Sequence, residues 1–303
     1  MLRLLRCVLL ALVCAGTSGL PAGAAATPLR IVAAESSYGA IAAAIGGSHV
    51  HVVSLISRPD IDPHAFEATP QAARSVAAAR LVLMNGLGYD AWMRRLLAAN
   101  PVRGRSVLVA ADLLPARRLP DDNPHVFYDP QVGLRMAAAI ADWLRRADPA
   151  HAAAYSAAEQ RLRQRIDSVL QRAAALARAH PGLRVTATEP VWGYMVRQLG
   201  WHDLHQALQL RVMNGSEPSP REIASLESDL RRRRVALLIH NRQVESPLTR
   251  SLLQLARHCG VATLGVDEYA PADIGYAQWL LQGLDAASAA LARPRHADAR
   301  CHD

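Results

Sequence analysis

Two histidines of this 303-residue chain stand in nearly the same setting, each directly after a proline. His64 lies in the proline-bounded segment 62–70, and His125 lies in the similar segment 123–130. Proline fixes its own φ, so the backbone that leads into each imidazole is stiff. Imidazole is a common ligand of divalent transition metals, although many loop histidines are purely structural. The repeated Pro-His setting makes His64 and His125 candidate metal ligands, with a structural role as the alternative.

Carboxylates occur in two further loops of the chain. Glu189 lies in segment 188–194, and Asp267 and Glu268 lie in segment 265–271, each after a short apolar stretch. Two imidazoles and two carboxylates form a borderline donor set that suits Zn²⁺, Mn²⁺ or a similar divalent ion. The four loops are far apart in sequence, and no Cys-x-x-Cys zinc motif supports them. On the residues alone, a shared metal site is therefore a hypothesis.

Short apolar stretches, alternating with helical patterns, must position these loops. Such alternation is typical of parallel sheets with crossover helices. One segment breaks it: over residues 150–179 the apolar positions recur at steps of three, four and seven, which predicts a single long helix. The predicted strands are residues 29–34, 49–56, 81–84, 106–110, 183–188, 235–240 and 261–266.

The pattern predicts an α/β fold with two lobes, each holding a mostly parallel sheet flanked by helices. We expect the N-terminal lobe over residues 25–145, a long rigid helix within 146–182, and the C-terminal lobe over 183–303. Open parallel sheets bind ligands at the carboxyl ends of their strands. A cleft between two such lobes collects both sets of strand ends, so we expect the metal there.

The first 24 residues predict a secretory signal peptide. Two arginines lie within the first six residues, an apolar run too short to span a bilayer follows, and small residues end the segment. We therefore expect a periplasmic protein without a transmembrane segment. A lipoprotein anchor at Cys14 is the alternative, and the bulky Val13 before it argues against processing there.

Cys259 and Cys301 are the two cysteines that remain once the signal peptide is removed. An oxidising compartment favours a disulfide between them, which would attach the end of the chain to a predicted helix. Two unpaired thiols are the alternative.

The charge pattern argues against nucleic acid as a partner. The formal charge is +8, and all 34 basic residues are arginines, but 26 acidic residues are interspersed among them. The one concentrated run, residues 231–234, has no aromatic residues between its arginines. We interpret this run as the solvated end of a helix.

The two Pro-His segments, the Trp-Gly-Tyr segment 192–194 and the predicted long helix resemble the zinc- and manganese-binding solute receptors of ABC transporters. The resemblance covers essentially the whole mature chain. It implies that His64 and His125 are metal ligands. In that family the third ligand is usually a histidine just before the aromatic-Gly-Tyr segment, and this chain has Glu189 there.

The resemblance also implies a carboxylate ligand after the last strand of the second lobe. Asp267 matches that position, with its neighbour Glu268 as the competitor. Some relatives have a glutamate at the end of the preceding strand, where this chain has Asn241, an amide that could hydrogen-bond a ligand. His240, beside it, is a further candidate for the cleft.

These departures bear on the metal. A carboxylate in place of an imidazole moves the preference of the site from Zn²⁺ towards Mn²⁺ or Fe²⁺. Segment 115–123 also lacks the histidine-rich loop of many zinc-specific relatives. The general affinity order still favours zinc over manganese, so we expect one divalent ion, Zn²⁺ first and Mn²⁺ next.

The resemblance implies a monomeric periplasmic protein that captures this ion and delivers it to an ABC permease in the inner membrane, without catalysis. A metal-dependent hydrolase is one alternative, but the sequence has no His-Glu-x-x-His or Gly-x-Ser-x-Gly motif. A surface adhesin or a receptor for an organic ligand or metal chelate is the other.

Overall fold

The computed structural model describes residues 27–58, 61, 63, 66–119, 122–244, 246–292 and 301, and its strands form two sheets. The first sheet contains β1 (Leu29–Glu35), β2 (Val50–Ile56), β3 (Leu81–Met84) and β4 (Ser106–Val109). The second contains β5 (Arg184–Ala187), β6 (His202–Leu204), β7 (Leu237–Asn241) and β8 (Ala262–Val266). Their orders are β2-β1-β3-β4 and β6-β5-β7-β8, and every pairing is parallel. The predicted α/β fold class is confirmed.

Eleven α-helices are present among the described residues, and most of them connect parallel strands. Several begin with a side-chain cap followed by proline at the first helical position, which has no N–H to satisfy. The helices are α1 (Ser36–Gly46), α2 (Pro70–Ala78), α3 (Ala91–Ala99), α4 (Ala110–Leu113), α5 (Pro130–Ala147), α6 (Ala152–Ala179), α7 (Gly193–Gln198), α8 (Gln206–Met213), α9 (Pro220–Arg231), α10 (Pro247–His258) and α11 (Tyr276–Ala292).

The predicted long helix is α6, which has 28 residues. Its apolar stripe is buried as the periodicity indicates, except that Val169 takes the buried position next to the half-buried Leu170. The helix packs against α1 and α5 and also against α11 from the end of the chain. It therefore contacts both halves of the molecule along its length.

One continuous apolar core includes residues of both sheets. Ile31 and Leu81 of the first sheet and Val185 and Leu237 of the second belong to the same cluster of buried side chains. The two lobes are therefore joined by packing as well as by the covalent chain.

Strand β6 is absent from the predicted strands. It has three residues, His-Asp-Leu, and lies at the edge of its sheet. Such a short, polar edge strand carries no apolar alternation, so its sequence gives no strand signal.

Each sheet has a topological switch point, between β1 and β3 in the first and between β5 and β7 in the second. There the next strand in the chain is added on the opposite side of the first strand. Polar residues occupy the strand ends there. Glu35 ends β1 and Asn85 follows β3, while Asn241 ends β7 and Glu189 lies two residues after β5. These are the positions at which open α/β sheets bind ligands.

The predicted disulfide is present. Cys259, at the end of α10, is bonded to Cys301, and both are buried. The predicted signal peptide lies outside the described residues. Within the described ranges, no helix combines the length and the apolar character that a bilayer crossing needs.

Candidate metal centre

His125 is fully buried, at the start of a single 3₁₀ turn that leads into α5. Its main-chain N–H and its ring Nδ1 both contact Asn123 Oδ1, at 3.0 and 2.8 Å. The amide of Asn123 is oriented by its Nδ2, which donates to the carbonyl of Pro190 at 2.8 Å. Because an amide oxygen only accepts, Nδ1 of His125 carries the proton. In the neutral imidazole the lone pair is then on Nε2, the atom that would bind a metal.

Two buried glutamates lie on the second-lobe side of this imidazole. The Oε2 atom of Glu268 is 3.8 Å from His125 Nε2. The Nδ2 group of Asn241 donates to Glu268 Oε1 at 2.6 Å and to Glu189 Oε2 at 3.1 Å. The Oδ1 atom of Asn241 accepts from the main chain of Gln243 at 2.9 Å, which fixes the orientation of the amide. One asparagine therefore holds both carboxylates.

Asp267, the residue that matches the family's fourth ligand, pairs with Arg242, whereas the two glutamates pair with Asn241. Its Oδ1 accepts from Nε of Arg242 at 2.8 Å, and its Oδ2 contacts Nη2 of the same guanidinium. The Arg242 side chain is more than half exposed. The structure thus places Asp267 in a surface ion pair, and it directs the neighbouring Glu268 towards His125.

His240 and Asn241 are adjacent on β7, so their side chains point to opposite faces of the sheet. Asn241 faces the glutamates. The Nε2 atom of His240 instead lies 3.0 Å from the position that a Cβ on Gly265 would occupy. His240 is therefore directed to the face opposite the two carboxylates.

His64 lies outside the described residues, so its position as a ligand stays a prediction. The described neighbours show where its segment runs. Pro63 is buried, and the ring of Phe66 packs on Trp92 with a centroid distance of 4.4 Å. The segment follows β2, whose carboxyl end lies at the same edge of the sheet as the other strand ends.

The loop of residues 267–271, which we call the Glu268 loop, is attached to the first lobe. Tyr269 Oη contacts the carbonyl of Ile61 at 2.7 Å, just before the His64 segment. The main-chain N–H of Ala270 donates to Ser37 Oγ at the start of α1, at 2.9 Å. These hydrogen bonds position a second-lobe carboxylate beside a first-lobe imidazole.

Two tyrosines of the first lobe complete this attachment. Tyr89 donates to the carbonyl of Glu268 at 3.2 Å, and Tyr128 donates to the carbonyl of Asp267 at 2.6 Å. Burial raises the pKa of both hydroxyls well above 10, with nearby carboxylates adding to the effect. Both tyrosines therefore stay protonated and act as hydrogen-bond donors.

The Trp-Gly-Tyr segment supports the imidazole indirectly. Tyr194 donates to the carbonyl of Asn123 at 2.9 Å. A Cβ on Gly193 would lie 3.1 Å from Asn123 Nδ2, so glycine permits the close approach of that amide. Asn123 is a positioning residue that no sequence motif marks. Its only signal is its place two residues before His125, at the start of the Pro-His segment.

Comparisons with known proteins identify the family of this chain. The family model of the zinc-uptake complex component A, periplasmic, matches residues 31–290. A putative metal-binding protein of Treponema pallidum is 26% identical over 228 residues, which is 69% of this chain and 71% of that protein. The manganese-binding lipoprotein MntA of Bacillus subtilis is 30% identical over 132 residues, 42% of this chain and 43% of that protein.

Among solved structures, the periplasmic zinc binding protein TroA of Treponema pallidum superposes with a TM-score of 0.74. The match covers 88% of this chain and 100% of that one at 20% identity, so it shows a shared fold. The family model spans both sheets and the long helix, and it confirms the resemblance seen in the sequence. The chain belongs to the family of periplasmic A components of zinc-uptake complexes, the metal-binding solute receptors of ABC transporters.

Proposed function

We propose that this protein captures one divalent transition metal ion outside the cytoplasm and delivers it to an ABC permease of the inner membrane. The observation that carries the proposal is the pair of buried glutamates, Glu189 and Glu268, held by Asn241 beside the Nε2 atom of His125. Two carboxylates so close together are costly to ionise in a buried site. A divalent cation between them would remove that cost.

The proposed ligands are His64, His125, Glu189 and Glu268. Glu268 takes the place of Asp267, because Arg242 contacts both carboxylate oxygens of Asp267. The tautomer of His125 supports its part, since the hydrogen bond from Nδ1 to Asn123 leaves the Nε2 lone pair for coordination.

The donor set favours binding over catalysis. Four protein ligands close a tetrahedral site, whereas a hydrolytic metal keeps an open position for water. All four proposed donors come from one chain, so a monomer is sufficient. Export to the periplasm is proposed from the signal-like residues 1–24 and from the periplasmic family.

Two imidazoles and two carboxylates accept several divalent ions. By the general affinity order we expect Zn²⁺ to bind more tightly than Mn²⁺. The two hard carboxylate ligands should raise the affinity for Mn²⁺ above that of a histidine-rich site, so Mn²⁺ is the second candidate ion. The physiological cargo then depends on which ion the periplasm supplies.

Equilibrium dialysis of the metal-free protein against radioactive zinc and manganese tests the proposal. We expect one tightly held equivalent, and we expect Glu268→Gln to weaken binding by more than about 100-fold, beyond the usual effect of losing a residue that only supports a ligand. Asp267→Asn is the matched control, one residue away, and should leave the affinity nearly unchanged. The reverse order of effects would show that Asp267 is the ligand.

Uptake by cells tests delivery. A strain that lacks the gene should accumulate less zinc or manganese at limiting supply, and the wild-type gene should restore uptake while the Glu268→Gln gene should not. Wild-type protein that holds no metal, or a deletion strain with unchanged uptake of both metals, would refute the proposed function.

A further inference from the structure

A second group of metal-ligating side chains lies away from the glutamates, at a corner of the first lobe. His49 ends the 3₁₀ turn after α1 and directly precedes β2, while Asp148 and His151 flank the short turn between α5 and α6. His49 is thus at the amino end of β2, whereas the proposed metal centre lies at the carboxyl ends of the strands. The seven residues of β2 separate the two places by about 20 Å along the strand.

The three side chains already converge. One nitrogen of each imidazole and one carboxylate oxygen of Asp148 all lie within 4.8 Å of one another. The rings of His49 and His151 are stacked with centroids 3.8 Å apart, and Nδ1 of His151 is 2.7 Å from Asp148 Oδ2. Around a tetrahedral ion, donor atoms are about 3.4 Å apart, given metal–ligand distances near 2.1 Å. The lone pair of an imidazole lies in the plane of its ring, so the two rings would turn out of their stack to direct both nitrogens at an ion placed among the three donors.

A neighbouring tyrosine holds the group in place. The ring of Tyr155 in α6 is buried, and its hydroxyl donates to Asp148 Oδ2 at 2.5 Å. The same ring meets both imidazoles edge-on, at centroid distances of 5.8 Å to His49 and 6.5 Å to His151. The carboxylate and the two rings thus have a supporting contact of the kind that orients metal ligands.

The exposure of the group also fits a binding site. His49, Asp148 and His151 are all partly exposed, so an ion can reach them from solvent.

We propose that His49, Asp148 and His151 form a second site for a divalent transition metal ion, with water completing the coordination. Two imidazoles and one carboxylate favour Zn²⁺, Ni²⁺ or Cu²⁺ over Mn²⁺. With three protein ligands, this site binds more weakly than the centre between the lobes. The ion would connect the turn before β2 to the base of α6, and the proposal does not depend on the transport function.

Zinc stoichiometry of the untagged protein tests this site, with Zn²⁺ alone as the probe. We expect the His49→Ala, His151→Ala double variant to bind one equivalent fewer than wild type at saturation. His51→Ala removes an exposed histidine two residues away in β2 and is the matched control, which should bind as much zinc as wild type. Glu268→Gln should retain the weaker equivalent, so a failure of the transport site is distinguishable.

Histidine labelling of the wild-type protein gives a second readout that does not require a folded variant. Diethyl pyrocarbonate modification, mapped by mass spectrometry, should decrease at His49 and His151 when zinc exceeds one equivalent, and it should not change at His51. Equal stoichiometry of wild type and double variant, or labelling of His49 and His151 that zinc leaves unchanged, would overturn the proposal.

Discussion

Two asparagine side chains set the chemistry of the candidate metal centre. Asn123 accepts from Nδ1 of His125 and thereby fixes the tautomer of that imidazole. Asn241 donates to both Glu189 and Glu268 and holds their carboxylates side by side. Neither amide changes its charge with pH, so the orientation of these ligand groups is set before an ion arrives. Such preorganisation lowers the cost of ordering the site on binding.

Glu35 is a buried carboxyl group close to this site, at the end of β1. Burial raises its pKa from 4.5 to about 8, against the hydrogen bond that it accepts from the main chain of Ser37. Between these two pH values the folded protein keeps a proton that the unfolded chain has released. The stabilisation is complete below the unfolded pKa and is lost as the pH rises through the folded pKa.

We therefore expect the free energy of unfolding of the metal-free protein to fall from pH 5 to pH 8, with a Glu35 contribution of up to about 1.4 kcal/mol per pH unit. Urea unfolding across this range measures it, and Glu35→Gln should flatten the slope. Asp203→Asn is the control, because burial raises the pKa of Asp203 only to about 6. Parallel curves for wild type and Glu35→Gln between pH 6 and pH 8 would contradict the assignment.

At the residue scale, the sequence predicts which loops form the site more easily than which side chains in those loops face the metal. Pro-His marks the loop of His125, and position after a strand marks Glu189. The choice between Asp267 and Glu268 depends on Arg242 and Asn241, at the end of another strand, and side-chain direction in a loop has no sequence period. Only the folded arrangement of these side chains decides between the two carboxylates.

At the scale of elements, helices with a strong period were predictable and short edge strands were not. The apolar steps of α6 gave its length to within two residues at its start and correctly at its end. The three-residue β6 depends on pairing with β5 and has no pattern of its own. Secondary structure that tertiary contacts impose is the part that periodicity misses.

The disulfide between Cys259 and Cys301 allows a stability prediction at the scale of elements. It joins the end of α10 to residue 301 across a sequence separation of 42, within a small core that also contains Leu230 and Leu252. Closing a loop of this length is expected to contribute about 4 kcal/mol through the entropy of the unfolded chain. Cys301→Ser should lower the free energy of unfolding by about that amount, as measured by urea unfolding.

Unfolding in the presence of a reducing agent is the control for this experiment. Dithiothreitol should destabilise wild type and leave Cys301→Ser unchanged, and metal affinity should be the same in both, because the disulfide is remote from the glutamates. Equal unfolding free energies with and without the bond would show that residue 301 is held by packing alone.

At the scale of the whole molecule, the two lobes are packed together as one body. The core is shared by both sheets, α6 packs along both halves, and the Glu268 loop is bonded to the first lobe through Ser37. Alternating strands and helices predicted the two lobes. The bonds between them link residues more than 200 positions apart, so no local pattern could reveal them.

We expect this rigidity to appear in small-angle X-ray scattering. The radius of gyration should be about 19 Å for a compact chain of this size, and zinc should leave it unchanged within error. Wide hinge closure, as in receptors whose lobes are joined by flexible crossings, would instead give a clear contraction on binding. A measured contraction would refute the rigid-body picture.

The attachment of the Glu268 loop has a consequence for unloading the cargo. A receptor whose halves are fastened together cannot release an ion by swinging apart. The smallest movement that would release the ion is to turn one carboxylate away. Glu268 lies on the Glu268 loop, which is held to the first lobe by hydrogen bonds of the Ser37 and Tyr269 hydroxyl groups. A docking protein that competes for those few hydrogen bonds would free the Glu268 loop. The Glu268 carboxylate could then turn away and release the ion while the rest of the receptor keeps its structure.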